Sequence, residues 1–103
     1  MVKLNVLYPQ PTDVKQFEED YSKHLALLHE KTGIPADVKP YTVTNFITSP
    51  MGTPPFFKMF TMPFDSPEAL LAAMSSAGMQ EVAADANRIS TGGPITILIG
   101  TEG

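Results

Sequence analysis

Cysteine and tryptophan are both missing from the 103 residues of this chain. The lack of cysteine excludes disulfides, thiolate zinc sites and cysteine nucleophiles together. Histidine is scarce, at two residues, so a metal site built from histidine alone would be short of ligands; neither a metal nor a cofactor is expected. Basic residues number 7 against 11 acidic, a formal charge of −4, which speaks against a broad cationic surface for nucleic acid or anionic lipid. No apolar run approaches the roughly 20 residues that span a bilayer, and the first residues lack a charged segment followed by an apolar one. These absences predict a soluble cytoplasmic protein with no nucleic-acid and no membrane partner. What is present is a globular composition, 43% hydrophobic against 17% charged residues. At ~100–200 residues per domain, positions 1–103 form one domain.

Periodicity supplies the elements. Residues 2–8 (VKLNVLY) alternate with period two and read as a strand that Pro9 and Pro11 end. Asp13 with Gln16 three residues later has the form of a capping box, Thr12 being the competing N-cap, and Gly33 is the natural stop of the intervening helix. At about 100° per residue, Val14, Phe17, Tyr21, His24, Leu25 and Leu28 share one apolar stripe of that helix. His29 falls at the edge of the stripe, where a solvated position is expected. Residues 38–48 read as a second strand with Pro40 near its start, 49–55 as a proline-rich loop, and 56–64 (FFKMFTMPF) as a third strand. Ser66, Pro67 and Glu68 mark a helix start. Ser75, Ser76 and Gly78 interrupt that second helical stretch, predicting one short helix over 67–75 and another over about 78–88. A Gly92-Gly93-Pro94 turn then leads into a strand over 95–100.

The order is βαββαβ, the ferredoxin-like α+β arrangement of a four-stranded antiparallel sheet with its helices on one face. The other face is bare. Strand 56–64 offers it either Phe56, Phe60, Met62 and Phe64 or Phe57 and Met59, so an apolar open face is expected, and with it a homodimer formed through that face.

The segment LNVLYPQPTDVKQFEEDYSKHLAL resembles the EthD family, small proteins linked to ethyl tert-butyl ether degradation. The matching features are Leu7-Tyr8-Pro9 closing a strand, then Phe17, Tyr21 and His24 on the next helix. FDSPEALLAAM over 64–74, the interrupted helix after it and the Gly-Gly turn before the last strand are also similar, so the likeness runs through nearly the whole chain. Members often carry His-x-Pro or His-His-Pro after the tyrosine; here the run is His24-Leu25-Ala26. The resemblance implies a dimeric α/β barrel closed by two such sheets. It also implies an accessory or reductase-like part in an oxidative degradation pathway. Barrels of this kind include isomerases and cofactor-free monooxygenases, so the architecture alone names no reaction.

Several residues are candidates for chemistry. His24, on the core side of a helix, suits acid–base work near neutral pH, or else fills the interior as a hydrogen-bonded core residue. Tyr8 can bring a phenol to the same pocket, or simply pack before the proline turn. Lys58, within FFKMF, reads either as an edge-strand lysine that discourages further pairing or as a cation able to hold a carboxylate or enolate. Asn5 and Tyr21 are possible hydrogen-bonders to a ligand, and Phe56, Phe60 and Met62 an adaptable apolar wall around it. Three roles are open: a small enzyme acting on an apolar or aromatic organic molecule held in the barrel, a non-catalytic binding protein, or a structural dimer whose bare face is used up by its partner.

Overall fold

The computed structural model describes residues 1–101. In chain order the elements are β1 (Val2–Pro9), α1 (Val14–Thr32), β2 (Thr42–Asn45), β3 (Phe56–Phe64), α2 (Pro67–Met74), α3 (Ala77–Ile89) and β4 (Thr96–Thr101). The strands form one antiparallel sheet in the order β2-β3-β1-β4, the ferredoxin-like topology expected from the element order.

Local chemistry explains the boundaries. The Asp13 side chain accepts from the Gln16 amide and caps α1, while Gly33 closes it at a φ of 74°, where a side chain would be strained. Only half of the capping box forms, because the Gln16 side chain turns forward to Asp20. Val14 stays exposed at the first turn, ahead of the buried stripe. Ser66 caps α2 and Ser76 caps α3, each accepting from the amide three residues on, so the expected break in the second helical stretch is real. The second strand is shorter than its composition suggested. Regular pairing spans only Thr42–Asn45, with Pro40, which has no N–H to donate, just outside it.

The structure decides between the two strand faces that alternation left open. Val2, Leu4 and Val6 of β1 pair with Phe64, Met62 and Phe60 of β3, and all six belong to or pack against the core under the helices. The open face therefore carries not the aromatic set but Lys3, Asn5 and Leu7, opposite Pro63, Thr61 and Met59, with Leu98 beside Asn5 on β4. The physical reason is volume: the Phe17–Leu28 stripe of α1 and Met79, Val82, Ala86 and Ile89 of α3 need the bulky strand face to fill the space between layers. The register stays regular through Tyr8 opposite Lys58, and a bulge beyond it sets Pro9 opposite Phe56. Phe57 thereby joins Lys58 against α1, its ring edge-on to Phe17 at 5.7 Å between centroids.

Helices α1 and α3 approach closely at Gly78. A Cβ there would lie 2.4 Å from the Lys31 carbonyl oxygen. Ordinarily Gly→Ala in a helix is favourable; here Gly78→Ala is expected to cost about 1–3 kcal/mol through overpacking. Urea denaturation checks the sign, and a gain in stability would show that the two helices separate freely.

Candidate functional site

The α1 stripe brings Phe17, Tyr21, His24 and Leu28 into the interior. Tyr8, at the end of β1, meets this stripe with its ring edge-on to both Phe17 and Tyr21. His24 is 6% exposed. Its Nδ1 lies 2.8 Å from Asp85 Oδ2 on α3, and its Nε2 3.4 Å from the Tyr8 hydroxyl. Asp85 Oδ1 in turn accepts from Nε and Nη2 of Arg88, each at 2.8 Å.

Electrostatics give this chain of contacts a direction. Burial drives the His24 imidazole below its ordinary value of 6.5, and the Asp85 carboxylate opposes that only in part. For Asp85, burial by itself would raise the carboxyl; the hydrogen bonds from His24 and Arg88 outweigh it and hold the group below 3.8. Burial, and then the Asp85 charge, push the Tyr8 phenol well above its ordinary 10.0. At neutral pH the ring is therefore uncharged: Nδ1–H donates to the Asp85 carboxylate and Nε2 accepts from the Tyr8 O–H. A ring in that tautomer presents a lone pair at Nε2, the atom a general base uses.

A partly open cavity of about 80 Å³ lies beside these groups, between the helices and the sheet. Its walls include Leu4, Val6, Tyr8, His24, Phe60 and Ile97. The pocket thus lies under the helices and not on the open sheet face. Of the residues expected to form a site, Tyr8, His24 and Phe60 come together around it. Tyr21 packs beside the His24 ring at 5.9 Å without lining the cavity, and its hydroxyl is the one buried side-chain polar atom without a partner among the described residues. Met62 borders a separate groove near the end of α1. Phe56 contributes a carbonyl that accepts from Gln10, and Asn5 belongs to the open face, bonded to Thr61 and to the Leu98 carbonyl.

Two readings of charged residues are corrected. Lys58 is no edge-strand lysine, since β3 lies between β2 and β1. It is buried against α1, its Nζ 2.5 Å from Glu18 Oε1 and 4.3 Å from the centre of the Tyr21 ring, so its charge is answered within the fold. His29 is not solvated: Nδ1 faces the Ile34 and Pro35 carbonyls, and Nε2 lies 2.8 Å from the Tyr41 hydroxyl, pinning the segment between α1 and β2. Asp85, Arg88 and Glu18 escaped the sequence reading. The only available signal for Asp85 was a carboxylate next to Ala86 on a helix face that must pack. Among the described residues no group of three or more His, Cys, Asp or Glu side chains is placed to hold a metal ion.

The His24 shift has a consequence for stability. Because the folded ring binds its proton less readily than the unfolded one, the unfolded chain takes up that proton first as pH falls through 6.5. The protein should therefore lose stability on acidification below that pH, with a second loss below about 3.8 as the depressed Asp85 carboxylate is challenged. Urea titrations from pH 7 to 5 check the first step. His24→Gln, which keeps a donor and an acceptor but cannot titrate, should flatten it.

No protein-family model matches the chain, and no curated protein sequence does. Solved structures do. A protein of the ethyl tert-butyl ether (EthD) family from Bacillus halodurans C-125 shares 35% identity with a TM-score of 0.82, over 100% of this chain and 99% of that one. An EthD-like protein from Ralstonia eutropha JMP134 shares 25% identity at a TM-score of 0.66, over 96% of this chain and 88% of that one. A dimeric ferredoxin-like protein of unknown function from Jannaschia sp. CCS1, at 10% identity, a TM-score of 0.71 and coverage of 99% and 100%, shares the fold. With a tyrosine-ended first strand, a buried histidine on the helix behind it and a third of its residues shared with the Bacillus protein across its whole length, the chain belongs to the EthD family.

Proposed function

We propose that this protein binds a small apolar or aromatic organic molecule in the cavity between helices and sheet, with His24 as its acid–base group, Tyr8 as a second polar contact and Asp85 as the positioning residue. The observation that carries this reading is the neutral His24 ring, its Nδ1 held by Asp85 and its Nε2 turned to an apolar cavity. An accessory or reductase-like part in an oxidative degradation pathway, in the cytoplasm, fits this small apolar site. A non-catalytic binding role uses the same pocket without the proton transfer.

The working unit is a homodimer through the open face. That face is left uncovered by the helices, carries Leu7, Met59 and Leu98, and has its central polar pair already bonded, Thr61 to Asn5 and Asn5 to the Leu98 carbonyl. It can therefore be buried without stranding those groups.

A thermal-shift screen of small aromatics and lactones should find stabilising ligands, and the NMR signals of the His24 ring should respond to them. A ring that ignores every bound ligand would sink the acid–base role. Where turnover is found, His24→Gln should lower it by ~10²–10⁴ while leaving folding nearly unaltered. For the dimer, sedimentation should give twice the chain mass at low micromolar concentration, with an interface at or above roughly 1,200–2,000 Å². Leu98→Glu, at a position 55% exposed in the single chain, should dissociate it without unfolding it.

A further inference from the structure

We infer that the pocket takes a neutral, hydroxyl-bearing ring, a phenol or enol, whose oxygen bridges the Tyr8 hydroxyl and His24 Nε2; this rests on the ligand-binding role proposed for that cavity. The first support is charge. Among the described residues no Lys, Arg, Asp or Glu side chain lines the cavity. The cations nearest to it are engaged elsewhere: Arg88 on Asp85, Lys58 on Glu18 beneath the Tyr21 ring, and Lys31 on Glu81. A carboxylate or phosphate entering the pocket would lose its water without gaining a counter-ion.

The second support is hydrogen-bond geometry. Tyr8 and Nε2 stand 3.4 Å apart, longer than a well-formed bond, and that contact is the only one Nε2 makes within the described residues. A ligand hydroxyl can donate to Nε2 and accept from the Tyr8 O–H at once, replacing one long bond by two of ordinary length. A ketone or an ether can accept from Tyr8 but leaves the Nε2 lone pair facing carbon. The third support is space. The partly open cavity, about 80 Å³ in volume, is only two to three times the ~30 Å³ share of one water. This suits a single ring whose far side reaches the rim, where Gln80 and Ala83 of α3 stand beside the cavity.

The test titrates the intact protein with phenol, anisole, toluene and benzoate, tracking the Val82, Ala83 and Ala86 methyl groups and the His24 ring by NMR. Phenol should shift all of these signals and bind about three- to tenfold tighter than anisole or toluene, the margin a net hydrogen bond supplies. Benzoate should leave them unmoved. Equal binding of phenol, anisole and toluene would overturn the bridging hydroxyl while leaving the apolar pocket standing. Benzoate binding as tightly as phenol would overturn the neutral ligand. Failure of all four probes to move the methyl groups would overturn the pocket reading itself, and the inference with it.

Discussion

The buried hydrogen bond between His24 and Asp85 joins α1 to α3, inward of the more exposed Lys31–Glu81 ion pair between the same helices, and much else in the molecule is arranged around it. A neutral imidazole can be buried cheaply only if both nitrogens find partners. Asp85 takes one and Tyr8 the other, so three elements far apart in sequence meet at one ring. Arg88, on the next turn of α3, keeps Asp85 charged at the rim of that contact. The close approach of the helices at Gly78 belongs to the same interface, since α3 can lie against α1 only where no side chain intervenes.

The bulge between Tyr8 and Pro9 completes the surroundings of Lys58. Lys58 faces the helices by the regular alternation of β3, and the bulge brings Phe57 beside it, so the lysine stands among the Phe17, Tyr21 and Phe57 rings and within reach of Glu18. Ring faces and a carboxylate together stabilise a cation that would otherwise be costly to bury. The neighbouring cavity is consequently free of net cationic charge although a lysine stands directly opposite Tyr8 in the sheet.

The two sheet faces divide the labour. The helix side holds the large aromatic and aliphatic side chains and leaves a small cavity where α3 and β4 diverge; Ile97 and Ile99 of β4 remain partly exposed there. The open side is a mixture of leucine, methionine, threonine, proline and lysine around an asparagine bonded to Thr61 and to the Leu98 carbonyl. Such a face is suited to association, and of the two sets the sequence offered for it Met59 is the member it carries.

Much of the fold was legible in the chain itself, because it is written in local signals. Alternation marked β1 and β3, the serine and aspartate caps marked three helix starts, and the 3.6-residue period put His24 on the buried side of α1. Those signals depend only on neighbours a few residues away. The strand over 42–45 is shorter than its composition suggests, because its length depends on pairing with β3 as well as on propensity. The site was legible in part: Tyr8 and His24 stood out as residue types in strand and helix frames, whereas Asp85 looked like any exposed helical carboxylate until α3 was laid beside α1. Which face of FFKMFTMPF turns inward, whether Lys58 lies at an edge or in the middle, and where the cavity opens were settled only by tertiary structure. Period-two alternation is blind to which side is which, and only the volume demanded by two packed helices breaks that tie.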